Sequence, residues 1–170
     1  TQTVHPTAYS MQDNFTANRN FGALNTENRE QFTIFGNNHT ISGDNTYTGI
    51  EVASGQTLNL DNVRFSNVKT YDVQNAGTLN LSGSNTINTI TGATGNTNIT
   101  GGTTTIATNG IVTQNAINLQ NGRIVIDNGA AVNKIASSSE YASVQNIDGG
   151  NIQGSAVKNA GTITNITGTF

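Results

Sequence analysis

Val52-Ala-Ser-Gly-Gln-Thr-Leu-Asn-Leu60 and Val73-Gln-Asn-Ala-Gly-Thr-Leu-Asn-Leu81 repeat one pattern 21 residues apart: an apolar entry residue, a small polar corner, then alternating leucines. The pattern returns in Val112-Thr-Gln-Asn-Ala-Ile-Asn-Leu119 and in Val157-Lys-Asn-Ala-Gly-Thr-Ile-Thr-Asn-Ile166. Leu79 to Ile117 is 38 residues and Ile117 to Ile163 is 46, so each interval holds two steps. Degenerate copies fill the gaps. Ile90-Thr-Gly-Ala-Thr-Gly-Asn-Thr-Asn-Ile99 lies in the first, and Val132 to Ile135 with Val144-Gln-Asn-Ile147 lies in the second. Apolar alternation over four to six residues, punctuated by Gly and Asn, specifies short strands rather than helices.

Recurrence every 19–23 residues separates the remaining topologies. Asn109-Gly110, Asn121-Gly122 and Asn128-Gly129 would serve hairpins of an antiparallel sandwich as well as corners of a coil, since both residue types accept positive φ. A sandwich has no need of a fixed repeat, whereas a coil climbing one rung per repeat does. The expected fold is therefore all-β, a right-handed parallel β-helix of about seven rungs between Phe32 and Phe170. Residues 1–31, which leave the repeat, are expected to form an N-terminal cap or arm. Rungs about 4.8 Å apart give a rod of roughly 35 Å.

Stacking accounts for an unusual composition. The chain has 27 Asn, 27 Thr and 19 Gly among 170 residues, and only 10% charged residues against roughly a quarter in an ordinary domain. Like charges on successive rungs would repel one another, while Asn amides at a corner can bond to those above and below. Leu58, Leu60, Leu79, Leu81, Ile99, Ile117, Leu119 and Ile163 are the expected core columns, with Leu58, Leu79, Ile99, Ile117 and Ile163 on one wall. Asn80, between two of them, is expected to face solvent and to accept Thr at little cost.

Phe32-Thr-Ile-Phe-Gly-Asn-Asn-His-Thr-Ile-Ser-Gly43 and Thr57-Leu-Asn-Leu-Asp-Asn-Val-Arg-Phe65 resemble the opening rungs of bacterial autotransporter passenger domains and related surface adhesins. The resemblance implies a parallel β-helix displayed outside the cell. The start at Thr1, without an initiator Met, agrees with removal of a signal peptide, so a secreted or cell-surface location is expected.

Other function classes find little support. Net charge is −3 and the seven Lys and Arg are scattered, which disfavours nucleic acid. No apolar run approaches the roughly 20 residues of a membrane span. Glycoside hydrolysis needs two positioned carboxylates, and only Asp127 and Asp148, 21 apart, could stack on adjacent rungs. His5 and His39 stand apart from any acid cluster, so no metal, cofactor or catalytic residue is expected. An ice-binding face would need Thr-x-Thr on each rung. Thr103/Thr105, Thr162/Thr164 and Thr167/Thr169 fit, but the strong repeats read Thr-Leu-Asn.

What remains is a non-enzymatic structural protein that self-associates into a homo-oligomer or filament, a fibre or surface-layer subunit. The alternative is an adhesin passenger binding a host or matrix protein or a glycan. For assembly the candidates are Val4, Tyr9 and Phe15 at one end and Ile163, Ile166 and Phe170 at the other. The C-terminal rung is expected to be the open one, because the repeat runs to Phe170. For adhesion they are Tyr47 and Tyr71, on neighbouring rungs, and Ser138, Glu140 and Tyr141 in the longest departure from the repeat.

Overall fold

In the computed structural model, which describes residues 7–23, 31–137 and 156–168, the alternating segments become eighteen short strands, with no helix among those residues. Every strand pairing is parallel, and successive turns of chain stack into a right-handed parallel β-solenoid.

Each rung has three walls. Wall 1 holds β1 (Ala8–Ser10), β4 (Gln31–Phe35), β7 (Thr57–Asp61), β10 (Thr78–Ser82), β12 (Asn96–Ile99) and β14 (Ala116–Leu119). Wall 2 begins with β2 (Phe15–Thr16), β5 (Thr40–Ser42) and β8 (Arg64–Ser66), and wall 3 with β3 (Gly22–Ala23), β6 (Ile50–Val52) and β9 (Val73–Asn75). From the fourth rung the corner between these walls tightens, so β11 (Ser84–Thr91) and β13 (Thr103–Val112) run through both. β15 (Arg123–Ile126) and β17 (Val157–Asn159) complete wall 2, while β16 (Ala131–Ser137) and β18 (Thr162–Gly168) pass from wall 3 into wall 1. From β4 to β18 the chain crosses wall 1 seven times, and β1 adds an eighth crossing.

Alternation becomes burial because inward side chains stack on their equivalents. Leu58 lies beside Leu79, and Leu60 beside Leu81, Ile99 and Leu119 in turn. Wall 3 carries its own column of Ile50, Val73, Ile90, Val112, Val132 and Ile163. All eight expected column residues are buried, but two belong to other columns. Ile99 is in register with Leu81, and Thr97 stands beside Leu79. Ile163 stacks on Val132 in wall 3, not on the leucine wall.

The cause lies at the corners. Residues stacked in wall 1 are separated by 26, 21, 18 and 20 residues along the chain, so counting a constant step drifts out of register. Corners vary in length along the rod. Between walls 1 and 2 the left-handed position is Asn62 (φ 56°), then Gly83 (φ 71°), Gly102 (φ 69°) and Gly122 (φ 83°). A side chain on Gly102 would begin 2.2 Å from the Gly83 carbonyl oxygen, so the tight corner requires glycine.

The expected N-terminal cap or arm lies directly on β4, β5 and β6. Its described residues form a rung of the same ladder, with β1 on β4, β2 on β5 and β3 on β6.

Candidate functional site: an open end and a stacked amide face

The first rung closes the core poorly. Tyr9, in register with Ile34, points inward but is 53% exposed, and Phe15, in register with Ile41, is 44% exposed. Phe15 and Phe21 lie with ring centroids 5.9 Å apart. An apolar cavity of about 390 Å³ opens here, lined by Tyr9, Met11, Phe15, Phe32 and Ile50 among others. Small residues leave it open. Gly22 faces Ile50 with free space where a side chain would begin, and Thr7, one place before Ala8, faces Phe32. Val4, also expected at this end, lies outside the described residues.

At the other end β17 pairs only with β15 and β18 only with β16 among the described residues, so the backbone edge expected to be open has no partner there, while the inward side chains are covered. The inward Val157 and Asn159 of β17 are fully buried, and Ile163 is 8% exposed. Ile166 is partly buried against the core. Phe170 lies outside the described residues.

Along the outside of wall 1 runs a ladder of amides. Asn80, Asn98 and Asn118 each donate from Nδ2 to Oδ1 of the Asn one rung earlier, at 2.9 Å. Asn59, the first, donates to Thr33 Oγ1 at 3.1 Å. The ladder sits mid-strand, not at a corner, and Asn80 is therefore bonded on both sides. A second rank joins Asn115 to Asn96 at 2.9 Å.

Inside the corner between walls 3 and 1, Gln114 is buried with Asn75 and Thr97. Its Oε1 accepts from Asn75 Nδ2 at 2.7 Å and Thr97 Oγ1 at 2.9 Å, and its Nε2 donates to the Gly92 carbonyl at 2.7 Å. This network lets Thr97 occupy a leucine column without an unsatisfied hydroxyl.

Of the adhesive candidates, Tyr47 and Tyr71 lie among the described residues, on adjacent rungs as expected. Tyr71 is only 9% exposed, and its hydroxyl donates to Glu51 at 3.0 Å. Burial raises its pKa above the ordinary tyrosine value, with the Glu51 carboxylate adding to the effect. Tyr47 is half-buried, and its carbonyl accepts from the backbone N–H of Lys69, two residues before Tyr71. Ser138, Glu140 and Tyr141 lie outside the described residues, as does Asp148, the expected companion of Asp127. The Thr-x-Thr rank of Thr103 and Thr105 meets Arg123 and Val125 on the next rung.

Sequence reasoning missed Asp72. It is 1% exposed and accepts through Oδ2 from the backbone N–H groups of Asn88 (2.6 Å) and Thr89 (3.2 Å). These donors sit where β11 shifts register against β13, and the carboxylate bridges the irregularity from the rung below. Burial pushes its carboxyl up to about 6, against the lowering effect of those N–H donors. Oδ1 has no partner. Nothing in the sequence marks this residue: the burial of Tyr71, Asp72 and Val73 in succession is a property of the folded corner.

Among the described residues there is no group of three or more His, Asp or Glu able to hold a metal, and no helix long and apolar enough to cross a membrane. His39 is a turn residue whose backbone N–H donates to Gly36 and whose carbonyl accepts from Arg64. No protein family, curated protein or solved structure matches the chain.

Proposed function

We propose that the chain is a secreted, non-enzymatic structural rod of the cell exterior that self-associates, as a subunit of a fibre or surface layer. The open apolar end carries this reading. Tyr9 and Phe15 present aromatic surface around a cavity, beside strand edges without a pairing partner among the described residues. Such an edge is a template for another chain. The low-charge Asn and Thr surface agrees with stacking rather than with catalysis, and a β-solenoid is an architecture suited to extracellular structural proteins. The adhesin reading has less behind it, since Tyr71 is committed to Glu51 inside the fold.

Sedimentation of the purified chain over a hundredfold range of concentration tests the proposal. Mass should rise with concentration. A monomer mass throughout would remove self-association and leave the chain a rod without a partner.

A further inference from the structure

We infer that the N-terminal rung is a two-fold interface, on which a second copy of this chain docks end to end with its own N-terminal rung. The inference rests on the self-association proposed above and assigns it a surface and a symmetry. Both ends have strand edges unpaired among the described residues, but they differ in side-chain cover: Tyr9 and Phe15 of the first rung are exposed, while Val157 and Asn159 of the last wall-2 strand are fully buried. One apolar end joined to itself gives an isologous contact, and such a patch must be complementary to itself.

The first rung has that property. Asp13 lies in the corner between β1 and β2, and Arg19 in the corner between β2 and β3; both are exposed. A two-fold axis across the end of the rod, through the middle of β2, exchanges these corners. Asp13 of each copy then faces the partner's Arg19, forming two opposite-charge pairs. The same operation lays wall 1 of one copy over wall 3 of the other, so Tyr9 comes over the partner's Gly22. Tyr9 is the exposed aromatic, and Gly22 is the position with open space above it. The two β2 edges meet antiparallel around Phe15.

Charge exchange tests this geometry on the whole chain, because both charged residues are exposed and their substitution leaves the core intact. Asp13→Arg alone and Arg19→Asp alone should each weaken dimerisation about tenfold or more, since each change converts two attractions into two repulsions. The double exchange in one chain should restore it to near the original value. Tyr9→Ser, with far-ultraviolet circular dichroism unchanged, should weaken it by a similar factor. Single exchanges without effect, or a double exchange that fails to rescue, would overturn the two-fold interface while self-association stands. Polymers that assemble equally well with either single exchange would likewise overturn it. A chain that stays monomeric at every concentration removes both proposals.

Discussion

At the scale of single residues, Asp72 carries the clearest consequence. Its carboxyl is raised from 3.8 to about 6 by burial, so the folded chain holds this proton where the unfolded chain has released it. The contribution is fully present below about pH 4 and is lost as pH rises through 6, a loss of up to about 3 kcal/mol that is complete by pH 8. Asp72→Asn removes the charge and keeps an acceptor for the Asn88 and Thr89 N–H groups. In urea unfolding the variant should match the parent near pH 4 and exceed it at pH 8. A variant less stable than the parent at pH 8 would mean that the ionised carboxylate is net favourable where it sits. Asp72 was not legible in the sequence because an aspartate beside a corner ordinarily faces solvent. The corner of residues 67–72 instead folds it inward, and corner conformation leaves no periodic trace.

At the scale of elements, the strands were legible and their register was not. Alternation in Thr57-Leu-Asn-Leu and Thr78-Leu-Asn-Leu is a local property, and β7 and β10 pair in the register it implies. Register across a corner depends on how many residues the corner consumes. Eighteen residues, not a full repeat, separate Asn80 from Asn98, and this moves Ile99 into the column of Leu81. The same stacking makes Asn80 something other than a solvent-facing spacer. Asn80→Ala would leave Oδ1 of Asn59 and Nδ2 of Asn98 without their ladder partners, in a half-buried row. Each net hydrogen bond is worth roughly 1 kcal/mol, so the change should cost about 1–2 kcal/mol, well above an ordinary surface substitution. Asn118→Ala loses only the bond to Asn98 and should cost about half as much. Chemical denaturation of the two variants checks the ratio. Equal, near-zero effects would show that water replaces the ladder without loss.

At the scale of the whole molecule, a solenoid is held together by nearest-neighbour contacts, so its stability varies along its length. The middle rungs have strands paired on both edges and inward side chains that are fully buried, as at Leu79, Ile90 and Ile106. The first rung has three strands of two or three residues, each paired on one edge among the described residues, around exposed Tyr9 and Phe15. Opening that rung breaks few backbone bonds and exposes little surface that is not already wet. Opening a middle rung separates two complete ladders. Amide hydrogen exchange in dilute protein should therefore be fastest in β1–β3 and slowest in β10–β14, because local opening sets the rate. The last wall-2 strand provides the asymmetric control. With Val157 and Asn159 buried, the β17 amides should be protected better than those of β2, although both strands lie near an end of the rod. Raising the protein concentration should then protect β1–β3 and leave β17 unchanged, since association covers only the open end. Protection of β1–β3 equal to that of β10–β14 in dilute solution would mean that the first rung is already closed within one chain. The cavity would then have no vacancy for a second copy to fill.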